Sequence, residues 1–153
     1  MGNKKLKNRE EIPQKYKWNI DAMYADDEAW ENDIQHVLEA VETFSAFQGH
    51  LTDDAQTLAE ALELKDAIWQ KIEKAFVFAR MKQDEDNRNA KQQAMLDRIN
   101  TIIAKVSAAT SFFTPELLSA PEETLLRYLE TEPRLTKYQF MLRDMLREKQ
   151  HVL

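Results

Sequence analysis

Two glycines in 153 residues, Gly2 and Gly49, constrain this chain more than any other feature. Sheet-rich folds turn often, and their tight turns call for positive φ angles that Gly, Asn or Asp usually supply. So few glycines argue for few turns and long helices. Proline is also sparse, at Pro13, Pro115, Pro121 and Pro133. The abundance of Ala, Leu, Glu, Lys and Gln, all good helix formers, agrees. The fold expected is all-α.

The length suits one domain with a continuous core. With 43% hydrophobic and 31% charged residues, the balance is that of a soluble globular protein and excludes wholesale disorder. The net charge of −6 argues against a nucleic-acid partner, which calls for a basic face. The basic cluster Lys4, Lys5, Lys7 and Arg9 reads as a solvated tail. There is no cysteine, so disulfides and thiolate chemistry are excluded and a reducing cytoplasm suits the composition. No apolar run follows the N-terminal charges, and none is long enough to span a membrane. The expected location is cytoplasmic.

The chain divides into an N-terminal arm over 1–26 and a single helical lobe over 27–153. In the arm Ile12, Pro13, Tyr16, Trp18, Ile20, Met23 and Tyr24 are dense enough to pin it against a helical body. Asp26 or Asp27 caps the first helix, and Glu28 and Glu31 favour its positive end. Trp30, Ile34, Val37, Leu38, Val41 and Phe44 recur at spacings of three and four, which marks one apolar face, and Gly49 ends this helix as a residue able to take the left-handed conformation. Thr52 or Asp53 caps a second helix running to about Met81, with Leu58, Leu62, Ile68, Trp69, Ile72, Phe76 and Ala79 as its stripe. The polar run Asp84-Glu85-Asp86-Asn87 ends it, and Asp86 or Asn87 caps a third helix. That helix carries Leu96, Ile99, Ile102, Ile103, Val106 and Thr110 inward and ends near Phe112-Phe113. Two amphipathic helices joined by so short a turn must lie antiparallel, so a long αα-hairpin over about 53–81 and 88–113 is expected. Thr114-Pro115 starts a short helix, and Pro121 starts another that buries Leu125, Leu126 and Leu129 and closes at Pro133. A last helix begins near Leu135 with Tyr138, Met141, Leu142, Met145 and Leu146 inward.

Chemistry-bearing motifs are scarce. A calcium loop starting at Asp84 would need an acceptor, a glycine and a glutamate where the chain has Arg88, Asn89 and Met95. The acids Asp53-Asp54 and Glu122-Glu123 read as helix caps. Ser107, Thr110 and Ser111 have no histidine partner in their motif and read as small residues packed before a Phe112-Phe113 wedge. The methionines, Met141 and Met145 among them, read as core filling rather than a peptide groove. His36 reads as a surface residue.

Several segments taken together resemble the oligoendopeptidase F family of zinc metallopeptidases. They are Arg9 to Asn19, Asp27 to Glu31, Phe44 to Leu51, the Asp84-Glu85-Asp86-Asn87 turn with Asn89, Ser107 to Leu117, and Leu135 to Val152 with His151 in place. They occur in the family's order and cover nearly the whole chain. The resemblance implies a helical N-terminal lobe that walls a substrate channel for oligopeptides, with a C-terminal catalytic lobe as partner. It also implies zinc in the full-length family, held by His-Glu-x-x-His on a helix. Here His36, His50 and His151 are each followed by the wrong residue and no two are four apart. No catalytic or metal-binding residue is therefore expected in this chain, substrate contacts are not assigned, and the chain alone should be inactive. Surfaces meant for the missing lobe would drive self-association. The alternative from another class is a free-standing helical module that grips a partner helix or peptide.

Overall fold

Helices account for all the regular structure in the computed structural model, which describes residues 23–85 and 88–151. In chain order they are α1 (Asp27–Ser45), α2 (Ala55–Glu85), α3 (Ala90–Ala109), α4 (Phe113–Ser119), α5 (Glu122–Thr131), a 3-10 helix (Pro133–Tyr138) and α6 (Gln139–His151). The all-α expectation is met. No strand is found among the described residues. The arm expected over 1–26 lies outside the described residues up to residue 22, as do the caps expected at Asp86 and Asn87.

Helix starts follow local hydrogen-bonding logic, with shifts of a residue or two. Asp26 caps α1 as expected: its Oδ1 accepts the Ala29 N–H at 2.8 Å. At α2 the cap is neither Thr52 nor Asp53 but Asp54, which accepts from the Thr57 N–H at 2.7 Å. This bond holds the Asp54 carboxyl below its usual value. Asn89 serves α3, its Oδ1 accepting from the Lys91 N–H at 2.9 Å.

Ends shift too. Helix α2 passes Met81 and reaches Glu85, about 46 Å at 1.5 Å per residue. The ion pairs Arg80–Asp84 (3.8 Å) and Lys82–Glu85 (3.9 Å) offset acids that would otherwise oppose the dipole there. Helix α3 stops at Ala109, short of Phe112-Phe113, and α4 begins at Phe113 with Phe112 in the capping position and no side-chain cap. Thr114 is thus inside α4 rather than before it, and Pro115 sits in the first turn, where a missing N–H costs nothing. The last segment starts as a 3-10 helix. Glu132 accepts from the Arg134 N–H at 3.2 Å, and three residues per turn bring buried Leu135 and Tyr138 to one side.

The chain packs as two compact units, one of Met1–Val37 with Gln70–Ala104, the other of Leu38–Trp69 with Lys105–Leu153. In the first, Trp30, Ile34 and Val37 of α1 are buried, as are Ile72, Ala75, Phe78 and Ala79 of α2 and Met95, Leu96, Ile99 and Ile102 of α3. The α2 stripe takes Phe78 where Phe76 was expected; Phe76 is half-buried, as is Trp69 in the other unit. Trp30 donates its indole N–H to the Ala75 carbonyl at 3.0 Å, a partner that a buried indole requires. Gln83 donates to Gln93, tying the end of α2 to the start of α3 across the short 86–89 connection, so the expected hairpin forms.

The second unit is built around Phe44, fully buried, whose ring meets Phe112 at 5.3 Å, Phe113 at 6.2 Å and Phe47 at 6.3 Å between centroids. Leu51, Leu58, Leu62, Leu117, Leu125, Leu135 and Leu142 complete this core. Leu126 and Leu129, expected inside, are half-buried, and Tyr128 takes the inward place. Helix α1 ends at Ser45, four residues before the Gly49 expected to end it, although Gly49 has φ 85°, the left-handed conformation foreseen for it.

Candidate functional site

Each unit carries a concave feature among the described residues. In the first unit, the opening turns of α1 and α3 enclose a cleft of about 400 Å³ lined by Asp27, Glu28, Trp30, Glu31, Lys91, Ala94, Met95 and Arg98. Its floor is apolar and its rim is charged in pairs. Lys91 meets Asp27 at 2.6 Å, and that hydrogen bond and charge hold the ammonium above its ordinary pKa. Arg98 grips Glu31 with both ends of its fork, Nε to Oε2 at 3.0 Å and Nη2 to Oε1. Such walls can admit an apolar side chain; four of the charges are engaged with one another, and Glu28 is the lining carboxylate outside those pairs.

The same unit holds a part-buried polar knot. Asp33 accepts from the Tyr24 hydroxyl at 2.8 Å and from Lys71 Nζ at 3.0 Å. Burial pushes the Asp33 carboxyl upward, but the bonds from Lys71 and Tyr24 and the charges of Lys71 and Lys74 together outweigh it and leave it below the usual carboxylate value. The same burial and neighbouring carboxylate push the Tyr24 phenol well above its ordinary value. Tyr24 packs edge-on against Phe78 at 5.1 Å, with Lys74 over its ring at 4.5 Å.

In the second unit a smaller groove of about 260 Å³ is lined by Glu122 and Leu126 of α5 and by Arg143, Leu146 and Arg147 of α6. Phe140 of α6 is 78% exposed. Elsewhere in this unit carboxylates lock the fold. Glu116 accepts the backbone N–H groups of Gly49 and of Leu51, the latter at 3.1 Å. Glu63 receives the Arg134 fork at 3.1 and 2.6 Å, which holds its carboxyl below the usual value. Tyr138 donates to Asp66 at 2.6 Å; burial and then this bond raise its phenol well above the ordinary value.

The structure disperses the residues that could carry hydrolysis. His36 is exposed, as expected. His50 shares a bond of 2.8 Å with Asp53 on the open surface. The side chain of His151 lies outside the described residues. Among the described residues no group of three His, Cys, Asp or Glu side chains could hold a metal ion, so zinc does not fit the residues here. Thr110 and Ser111 donate to the helix carbonyls of Val106 (2.8 Å) and Ala108 (2.7 Å). The close packing expected of 107–111 holds at Thr110, which is buried, whereas Ser107, Ala108 and Ser111 are exposed. Met141 and Met145 are half-buried, between core and surface. Among the described residues no helix is long and apolar enough to cross a membrane.

Sequence reasoning missed Glu116, Asp33 and Phe140. Glu116 acts on backbone groups presented by a distant loop, which leaves no mark in its own neighbourhood. Phe140 did leave one: it stands off the stripe of Tyr138, Leu142 and Leu146 and had no inward place to occupy.

Comparison with known proteins gives these features a setting. The family model described as Oligopeptidase F matches residues 116–153. Group B oligopeptidase PepB of Streptococcus agalactiae is 35% identical over 95% of this chain, which spans 24% of that protein. The chromosomal oligoendopeptidase F of Lactococcus lactis subsp. cremoris is 34% identical over 97% of this chain and 25% of its own length. The crystal structure of oligoendopeptidase-F from Enterococcus faecium superposes with a TM-score of 0.74 at 27% identity, covering 83% of this chain and 24% of that one. The chain thus spans about a quarter of the length of the relatives it matches.

Proposed function

Because the chain belongs to the oligoendopeptidase F family, matching the N-terminal region of those proteins, we propose that it is a helical wall of the substrate chamber in a zinc-dependent oligoendopeptidase. In this reading the wall admits short peptides while the metal and the catalytic residues belong to the remainder of a longer protein. One observation carries it: likeness runs along 95% of this chain yet fills 24% of the S. agalactiae relative, and the 153 residues hold no His-Glu-x-x-His. The paired charges on the cleft rim support a wall that binds rather than reacts. A cytoplasmic location belongs to the same proposal, supported by the absence of cysteine.

The test is a quenched fluorescent oligopeptide offered to the purified chain, with and without a chelator. No turnover is expected. The part of the S. agalactiae relative beyond the matched region, added in trans with zinc, is then expected to cleave the peptide faster with this chain than without it. Chelator-sensitive cleavage by the chain alone, or no effect of the chain on the added part, would overturn the proposal.

A further inference from the structure

Helix α6 has two faces of opposite character. Leu142 and Leu146 are 1% and 4% exposed and belong to the core of their unit, whereas Phe140 stands 78% exposed. Residues three and seven places apart share a helix face, so Phe140, Arg143 and Arg147 form one ridge. Beside the ridge runs the groove of about 260 Å³, with Leu126 and Leu146 supplying its apolar part. The guanidinium groups are only loosely engaged: Arg147 reaches Asp144 at 3.9 Å, and no ion pair among the described residues includes Arg143. An exposed aromatic with arginines, beside a small groove lined by Glu122 as well as by two leucines, has the composition of an interface hot spot.

We propose that this α5–α6 face seats the remainder of the oligopeptidase, receiving an apolar side chain beside Phe140 and a carboxylate on Arg143. The inference rests on the function proposed above and names the surface through which it acts. Two observations select this occupant. The face lies wholly within residues 116–153, the stretch that matches the family model, and the matched relatives carry about three quarters of their length outside the region shared with this chain. A second copy is the other occupant that the experiment separates, because the face carries both signs, Arg143 and Arg147 beside Glu122 and Asp144.

The experiment is titration calorimetry of the full chain against the unmatched part of the S. agalactiae relative, with Phe140→Asp and Arg143→Glu as variants. Both side chains are exposed, so circular dichroism should show unchanged helicity. The original chain is expected to bind, and each variant to bind about tenfold more weakly or worse. Equal binding by all three would place the seat elsewhere and leave the proposed function standing. No binding by the original chain would remove the proposed function and this surface together. A concentration-dependent dimer abolished by Phe140→Asp would assign the face to a second copy and overturn the inference.

Discussion

The two units reach the same end by different means. In the first, the stretches in contact are long helices whose backbone groups are satisfied internally, and polar ties run mostly from side chain to side chain, Arg98 to Glu31 and Lys71 and Tyr24 to Asp33, with the Trp30 indole on the Ala75 carbonyl as the buried exception. In the second, the chain bends at 46–54, 110–112, 120–121 and 132–138, and each bend leaves N–H or C=O groups without helical partners. There side-chain pairs such as Arg134 with Glu63 and Tyr138 with Asp66 are joined by ties from side chain to backbone at the bends: Glu116 to the amides of Gly49 and Leu51, and the Tyr128 hydroxyl to the Thr52 carbonyl at 2.8 Å. Regular segments need partners only for their side chains; irregular ones need partners for the main chain as well.

Core truncation should reveal whether the units open separately. Trp30→Ala and Phe44→Ala are each expected to cost about 3–5 kcal/mol, read from urea unfolding. Amide exchange should quicken first around 70–104 for Trp30→Ala and around 105–120 for Phe44→Ala. Uniform acceleration everywhere in both variants would break the distinction. Next in size is Glu116→Ala, expected to cost roughly 1.5–3 kcal/mol because a charged acceptor of two amides is lost. A cost within error of zero would mean that water serves the 49–51 bend equally well. Gly49→Ala should cost about 1–2 kcal/mol, the strain of a Cβ at positive φ, since nothing lies within 4 Å of the added carbon.

The smallest effect is a pH dependence in the first unit. Asp33 has a lowered pKa in the folded chain, so the stability it contributes is present above its unfolded value of 3.8 and is lost as the pH falls through the folded value. Asp33→Asn should therefore be less stable than the parent at neutral pH, and the gap should close in acid. A gap independent of pH would show that the knot acts by shape alone.

This contrast also explains what could be read in advance. Buried stripes such as Trp30, Ile34 and Val37, or Leu96, Ile99 and Ile102, follow from helical spacing and appeared where that spacing put them. Asp26 as a cap was equally legible, because its partner is three residues away. Errors gathered where the partner is distant or the choice is close: Asp54 over its neighbours Thr52 and Asp53, the start of α4, and the inward turn of Tyr128 in place of Leu126 and Leu129. At the candidate sites, spacing fixed what the histidines could not do. It carried no trace of the Arg98–Glu31 fork, whose members are 67 positions apart.

The same span has a kinetic side. The carboxylate of Glu116 reaches back 65 positions to Leu51, with all of α2 and α3 in between. Closing so large a loop before its interior is ordered is entropically costly, and ordering the intervening helices first shortens the effective loop. Glu116 should consequently engage after the rate-limiting step, so that Glu116→Ala speeds unfolding and leaves refolding unchanged in stopped-flow traces; a slowed refolding limb would place this contact in the nucleus instead.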